Sequence, residues 1–138
     1  MSDPYELQRF VDAQNPVYER VLSELRGGRK KSHWMWFVFP QIEGLGRSEL
    51  SVKFAISGRQ EARAYLDHAV LGPRLRACTA LVLKAQALPI GQIFGSPDDM
   101  KFQSSMTLFD AVAPEAVFGQ ALDAFFAGRR DQATVDTL

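Results

Sequence analysis

Two short segments carry residue types that bind anions, Gly28-Arg29-Lys30-Lys31-Ser32 and Gly44-Leu45-Gly46-Arg47-Ser48. Each joins a glycine-containing loop and basic residues to a serine that can begin a helix. Free N–H groups at a helix start attract negative charge, and glycine lets the backbone come close to a phosphate. The chemistry this predicts is capture of an anionic, nucleotide-like small molecule. Lys31, Ser32, Arg47 and Ser48 would hold the anion. His33 would give or take a proton, Trp36 would stack on a ring, and Gln41 would orient the ligand. Neither segment has the spacing of a P-loop or of a dinucleotide-binding glycine fingerprint. A solvated basic loop followed by an ordinary helix cap uses the same residues, so both readings stay open on the sequence.

A second constellation sets His33 beside Asp98, Asp99, Lys101, Ser104 and Ser105. Histidine titrates near neutral pH, and a His–Asp pair next to a serine suits hydrolysis or group transfer. There is no Gly-x-Ser-x-Gly elbow. Asp98 and Asp99 are also what the first turn of a helix favours, and Ser105 falls on a core face, where a bond to the carbonyl four residues back or to His33 would satisfy it. His33 is the one catalytic candidate, and Lys101 and Ser104 join the ligand-binding candidates. Two histidines, His33 and His68, and one cysteine give no zinc-type spacing, so no metal site is expected. The sequence leaves the cofactor unknown. Balanced charge and many aromatics suit an alternative, a non-enzymatic protein-interaction module.

These side chains need elements to position them. The run Trp34-Met35-Trp36-Phe37-Val38-Phe39 is apolar on every face and must be buried. Ser32 is a candidate cap before it and Pro40 a stop after it, which predicts a short buried helix. Asp3-Pro4 and Asn15-Pro16 read as helix starts, and Gly27-Gly28 as a stop. Ser48 is predicted to cap a helix through about Ile56, with Leu50, Val52, Phe54 and Ala55 partly buried. A short segment covers Arg59–Asp67. From Val70 to Ala87, Leu71, Leu75, Cys78, Val82 and Ala85 form one apolar stripe, which makes Cys78 a small core residue. Ile90–Phe94 is a further turn. Ser96-Pro97-Asp98-Asp99 opens a helix with Phe102, Ser105, Met106 and Phe109 on one face. Pro114-Glu115 opens another with Phe118, Ala121, Leu122, Phe125 and Phe126 inward. Residues 131–138 suit either a terminal turn or a frayed end. The sum is an all-α fold, one compact multi-helical domain over 1–138 built from about six to eight short helices.

Composition sets the outer bounds. A chain of 138 residues fits one domain with a real core. Hydrophobic residues at 46% and charged residues at 23% are ordinary globular usage. A formal net charge of zero argues against a nucleic-acid partner. No apolar run approaches a membrane span, and Met1-Ser2-Asp3-Pro4 leads straight into a polar–apolar pattern rather than a leader. A cytoplasmic location is the expectation, and the sequence sets no oligomeric state.

Several stretches taken together identify a family resemblance. They are Arg9-Phe-Val-Asp-Ala-Gln14, Ser32-His-Trp-Met-Trp-Phe-Val-Phe-Pro-Gln41, Gly44-Leu-Gly46-Arg-Ser48, Leu71-Gly-Pro-Arg-Leu75, Ile93-Phe-Gly95, and Asp98-Asp99 with Lys101 and Ser104-Ser-Met-Thr-Leu-Phe109. In this order they resemble DUF1810, a bacterial domain family of unknown function, over nearly the whole chain. The resemblance implies a small, stand-alone, all-helical protein and brings no activity. Some members carry the label calpastatin, which is not transferred, because nothing in this sequence resembles a disordered protease-inhibitor repeat.

Overall fold

The computed structural model describes residues 3–138, and among them the chain is helical throughout, with ten helices, six of them of seven residues or more. They are α1 (Gln8–Gln14), α2 (Tyr18–Arg26), α3 (Met35–Val38), α4 (Glu49–Lys53), α5 (Arg59–Asp67), α6 (Leu71–Lys84), α7 (Ile90–Phe94), α8 (Asp98–Val112), α9 (Ala116–Phe126) and α10 (Gln132–Thr137). The longer six match the expected number, and the others are pieces of about one turn. The one extended pairing among the described residues is an isolated parallel bridge, Ile42 to Ile56.

Helix α8 is the axis. Phe102 and the unbroken run from Ser104 to Phe109 are buried, which is the signature of a helix covered on all sides. Helices α5, α7, α9 and α10 pack on it, and α6 packs on α2, α5 and α9. The aromatic rings form a chain through the core. Phe39 meets Phe94 at 5.8 Å and Phe102 at 5.1 Å, edge to face, and Trp34 joins through Phe39 at 6.2 Å. Such pairs contribute beyond their buried area. Cys78 lies in the same core, fully buried. Burial pushes its thiol up to about 12, so it is no nucleophile near neutral pH.

One helix start and one helix end differ from the sequence expectation. Asp3 does cap, accepting from the N–H groups of Leu7 and Gln8, but Glu6 takes a left-handed φ of 53° and α1 begins only at Gln8. Helix α4 stops at Lys53, short of Ile56, because Ile56 leaves to bridge Ile42. Leu50 and Val52 are consequently exposed, at 41% and 65%, rather than partly buried.

Three buried hydroxyls solve their hydrogen bonding locally: Thr79, Ser104 and Thr107 each donate to the carbonyl four residues back. Ser105 does not. Its Oγ is the one buried side-chain polar atom without a partner among the described residues, and exposed His33 does not supply one. An unpaired buried hydroxyl costs about 1–3 kcal/mol. Ser105→Ala should therefore raise stability by about 1 kcal/mol in urea unfolding; a comparable loss would show that the hydroxyl is paired.

Candidate functional site

Helix α3 holds the Trp-Met-Trp segment, yet four residues are too few to be stable alone. Two buried polar side chains bracket it. On the entry side stands Glu24 of α2, only 9% exposed. Its Oε1 accepts from Lys31 N at 2.7 Å, Ser32 N at 3.0 Å and the Trp34 indole Nε1 at 2.9 Å, and its Oε2 accepts from the Ser32 hydroxyl at 2.6 Å. Burial alone would raise this carboxyl; the donors from Ser32, Lys31 and Trp34 outweigh it and hold the group at about 2. On the exit side, Gln14 of α1 donates to the Phe37 carbonyl at 2.6 Å and to the Tyr65 hydroxyl at 3.1 Å. Arg74 in turn donates to the Gln14 side-chain oxygen at 3.3 Å. This satisfies a carbonyl that the end of a helix leaves free.

The Glu24 network corrects the expected role of Ser32. Trp34, not Ser32, stands at the N-cap of α3. The N–H groups of Lys31 and Ser32 and the Ser32 hydroxyl are committed to an internal carboxylate. Glu24 thus fills the position in which an external anion was expected at the first basic loop.

Lys30 and Lys101 flank the two tryptophans. The Lys30 ammonium sits 5.2 Å from the Trp34 ring centroid and pairs with Asp98 at 2.9 Å. The Lys101 ammonium sits 5.1 Å from the Trp36 ring centroid and is 3.7 Å from the other oxygen of Asp98. One aspartate therefore serves two lysines, and the nearer is Lys30. Lys101 keeps a largely uncompensated charge, with its side chain 23% exposed.

Lys101 also faces a cleft of about 280 Å³, lined by Gln41, Leu45, Gly46, Ser51, Pro97, Met100, Lys101, Ser104, Asp131 and Ala133. The loop before α4 makes one side. Gly44 supplies a φ of 98° there. Gly46 lies so close to α4 that a Cβ would come within 2.6 Å of the Ser51 side chain. Ser48 caps α4, its hydroxyl oxygen accepting from Ser51 N at 3.1 Å. The first turns of α8 and the start of α10 make the rest.

The cleft thus brings Gln41, Lys101 and Ser104 together, while Trp36, in contact with the Lys101 ammonium, is not part of its lining. The exposed side chains of Lys31, His33, Arg47 and Ser48 and the half-buried Ser32 lie outside its lining. His33 makes no side-chain hydrogen bond among the described residues, and Arg47 forms no ion pair there. Both basic loops reach the start of α8, one through Lys30 and Asp98, the other through Gly46, but they do not line one cleft. Trp36 presents a face to Lys101 in place of a ligand ring. Among the described residues, no three His, Cys, Asp or Glu side chains assemble to hold a metal ion, and no helix is long and apolar enough to cross a membrane.

Sequence reasoning missed Glu24, Gln14, Asp131 and the sharing of Asp98. A signal existed for the first two. Glu24 stands three residues after buried Val21, and Gln14 four after buried Phe10, so each is a polar side chain on an apolar stripe.

No curated protein matches the chain. Among solved structures it is similar to the crystal structure of a conserved hypothetical protein from Mycobacterium tuberculosis, at 52% identity and a TM-score of 0.97, over 99% of this chain and 98% of that one. The family model described as a protein of unknown function, DUF1810, matches residues 4–138, and the chain belongs to that family.

Proposed function

We propose that the protein binds a small anionic molecule in the cleft between the loop before α4 and the start of α8. The observation that carries this reading is Lys101: it lines the cleft, and the aspartate that its ammonium shares is closer to Lys30. A positioned cation beside an open cleft favours an anion. Gln41 adds an amide that can donate or accept, and Ser104 an oxygen that can accept. The ligand is held by α8 and the Gly44–Ser48 loop, with Lys31, Arg47 and His33 standing outside as exposed charges or polar groups. No reaction is part of the proposal. We place the protein in the cytoplasm on its single, buried cysteine.

The test is a thermal-shift and calorimetric panel at low salt, using phosphate, nucleotides, sugar phosphates and simple carboxylates. A ligand that binds only the folded chain stabilises it by about 2.7 kcal/mol at a hundredfold excess over its Kd. At least one anion should raise Tm by several degrees, and Lys101→Met should remove the effect. A panel without any response dependent on Lys101 would sink the reading. Weight would then move to a protein-interaction role, which is favoured by one observation: Val52 and Met100 are 65% and 62% exposed.

A further inference from the structure

The proposed cleft carries a charge of each sign. Asp131 lines it together with Lys101, and the two come from different elements, Asp131 from the N-cap of α10 and Lys101 from α8. They do not form an ion pair with each other; among the described residues Lys101 pairs only with Asp98. One Asp131 oxygen, Oδ2, is spent on Thr134, accepting from its N–H at 3.1 Å and from its hydroxyl. The other oxygen makes no hydrogen bond within the described chain. The Asp131 backbone is itself fixed, its N–H donating to the Thr107 hydroxyl oxygen at 3.0 Å. The apolar part of the lining is Leu45, Pro97, Met100 and Ala133.

A cation and an anion that share a cleft without neutralising each other suit a ligand carrying both complementary groups. The apolar lining calls for an aliphatic body between or beside them. The volume, about 280 Å³, leaves room for a single aliphatic amino acid. Resting on the anion-binding reading above, we propose that the cleft takes a dipolar ligand, an aliphatic α-amino acid, with its carboxylate on Lys101 and its ammonium on Asp131.

Three probes separate this inference from the reading beneath it: L-leucine, 4-methylpentanoate, which lacks the ammonium, and 3-methylbutylamine, which lacks the carboxylate. Calorimetry on the full chain should show L-leucine binding about tenfold or more tightly than either relative, as expected for one added charge-assisted hydrogen bond. Asp131→Asn should abolish the advantage of L-leucine over 4-methylpentanoate. Asparagine still caps a helix, and circular dichroism would check that α10 is kept. Lys101→Met should abolish binding of both carboxylates. Equal affinity for L-leucine and 4-methylpentanoate would overturn the dipolar ligand and leave a simple anion site standing. The dipolar ligand is equally overturned if none of the three binds while phosphate or a nucleotide binds through Lys101. If no probe of either panel depends on Lys101, both proposals fall.

Discussion

Glu24→Ala should lower the unfolding free energy by about 3–5 kcal/mol. The carboxylate serves two backbone N–H groups, one hydroxyl and one indole N–H. Truncation leaves those donors without an acceptor in a buried place, and each unsatisfied group costs about 1–3 kcal/mol unless water enters. Glu24→Gln should be milder. Its remaining carbonyl oxygen can serve the donors now on Oε1, and the Ser32 hydroxyl can turn to accept from the new amide.

The same group makes stability pH-dependent. Its carboxyl titrates at about 2 in the folded chain against an ordinary 4.5. A depressed folded value means that its contribution is fully present above the unfolded value and is lost as pH falls from about 4.5 through about 2. At 1.36 kcal/mol per pH unit the amount at stake is at most about 3 kcal/mol. Urea unfolding followed by tryptophan fluorescence should show a steep acid loss in the native chain and a flatter profile in Glu24→Gln. Parallel profiles would contradict the assignment.

Gly72→Ala should destabilise by about 2–3 kcal/mol, against the usual sign. In a helix, alanine is normally better than glycine by about 1 kcal/mol. Gly72 lies in the first turn of α6, pressed on the end of α5. A Cβ there would stand 2.1 Å from the Leu66 carbonyl oxygen and 3.0 Å from its carbon. Those are backbone atoms and cannot swing aside, and Arg76, which donates to the same carbonyl, would be displaced as well. Gly119 in α9 is the contrast: its Cβ would meet only an Asp110 oxygen at 3.5 Å, so Gly119→Ala should gain up to about 1 kcal/mol. Chemical unfolding of the two variants should therefore move in opposite directions; two losses of equal size would contradict the packing described for α5 and α6.

The helices were legible because their punctuation is local. Proline near a start and glycine past an end act within one or two residues, and Gly28 with a φ of 75° does what its sequence position predicts. The stripe from Leu71 to Val82 needs only the helical period. What could not be read is what depends on tertiary partners. Ser32 is a sound N-cap by type, yet a carboxylate eight residues earlier takes its hydroxyl. Arg9 of α1 has distant partners that its sequence neighbourhood does not announce. In the fold it donates to the Lys53 and Ala55 carbonyls and to Glu61, tying α1 to the chain between α4 and α5. Leu50 and Val52 suit an inward face, but a five-residue helix ended by a β-bridge turns them out. At the cleft, Gln41, Lys101 and Ser104 were candidates by residue type alone. Their meeting with Asp131 joins positions up to ninety residues apart in the sequence.

The most direct test of the ligand cleft uses the two tryptophans the chain possesses. Each gives one indole N–H signal in a nitrogen–proton correlation spectrum. Trp34 is anchored to Glu24, away from the cleft lining, while Trp36 carries the Lys101 ammonium on its face. Titration with the anion that gives the largest thermal shift should move the Trp36 signal and leave that of Trp34 in place, and Lys101→Met should remove the movement. Movement of Trp34 alone, or of neither signal under a saturating ligand, would contradict the cleft at Lys101.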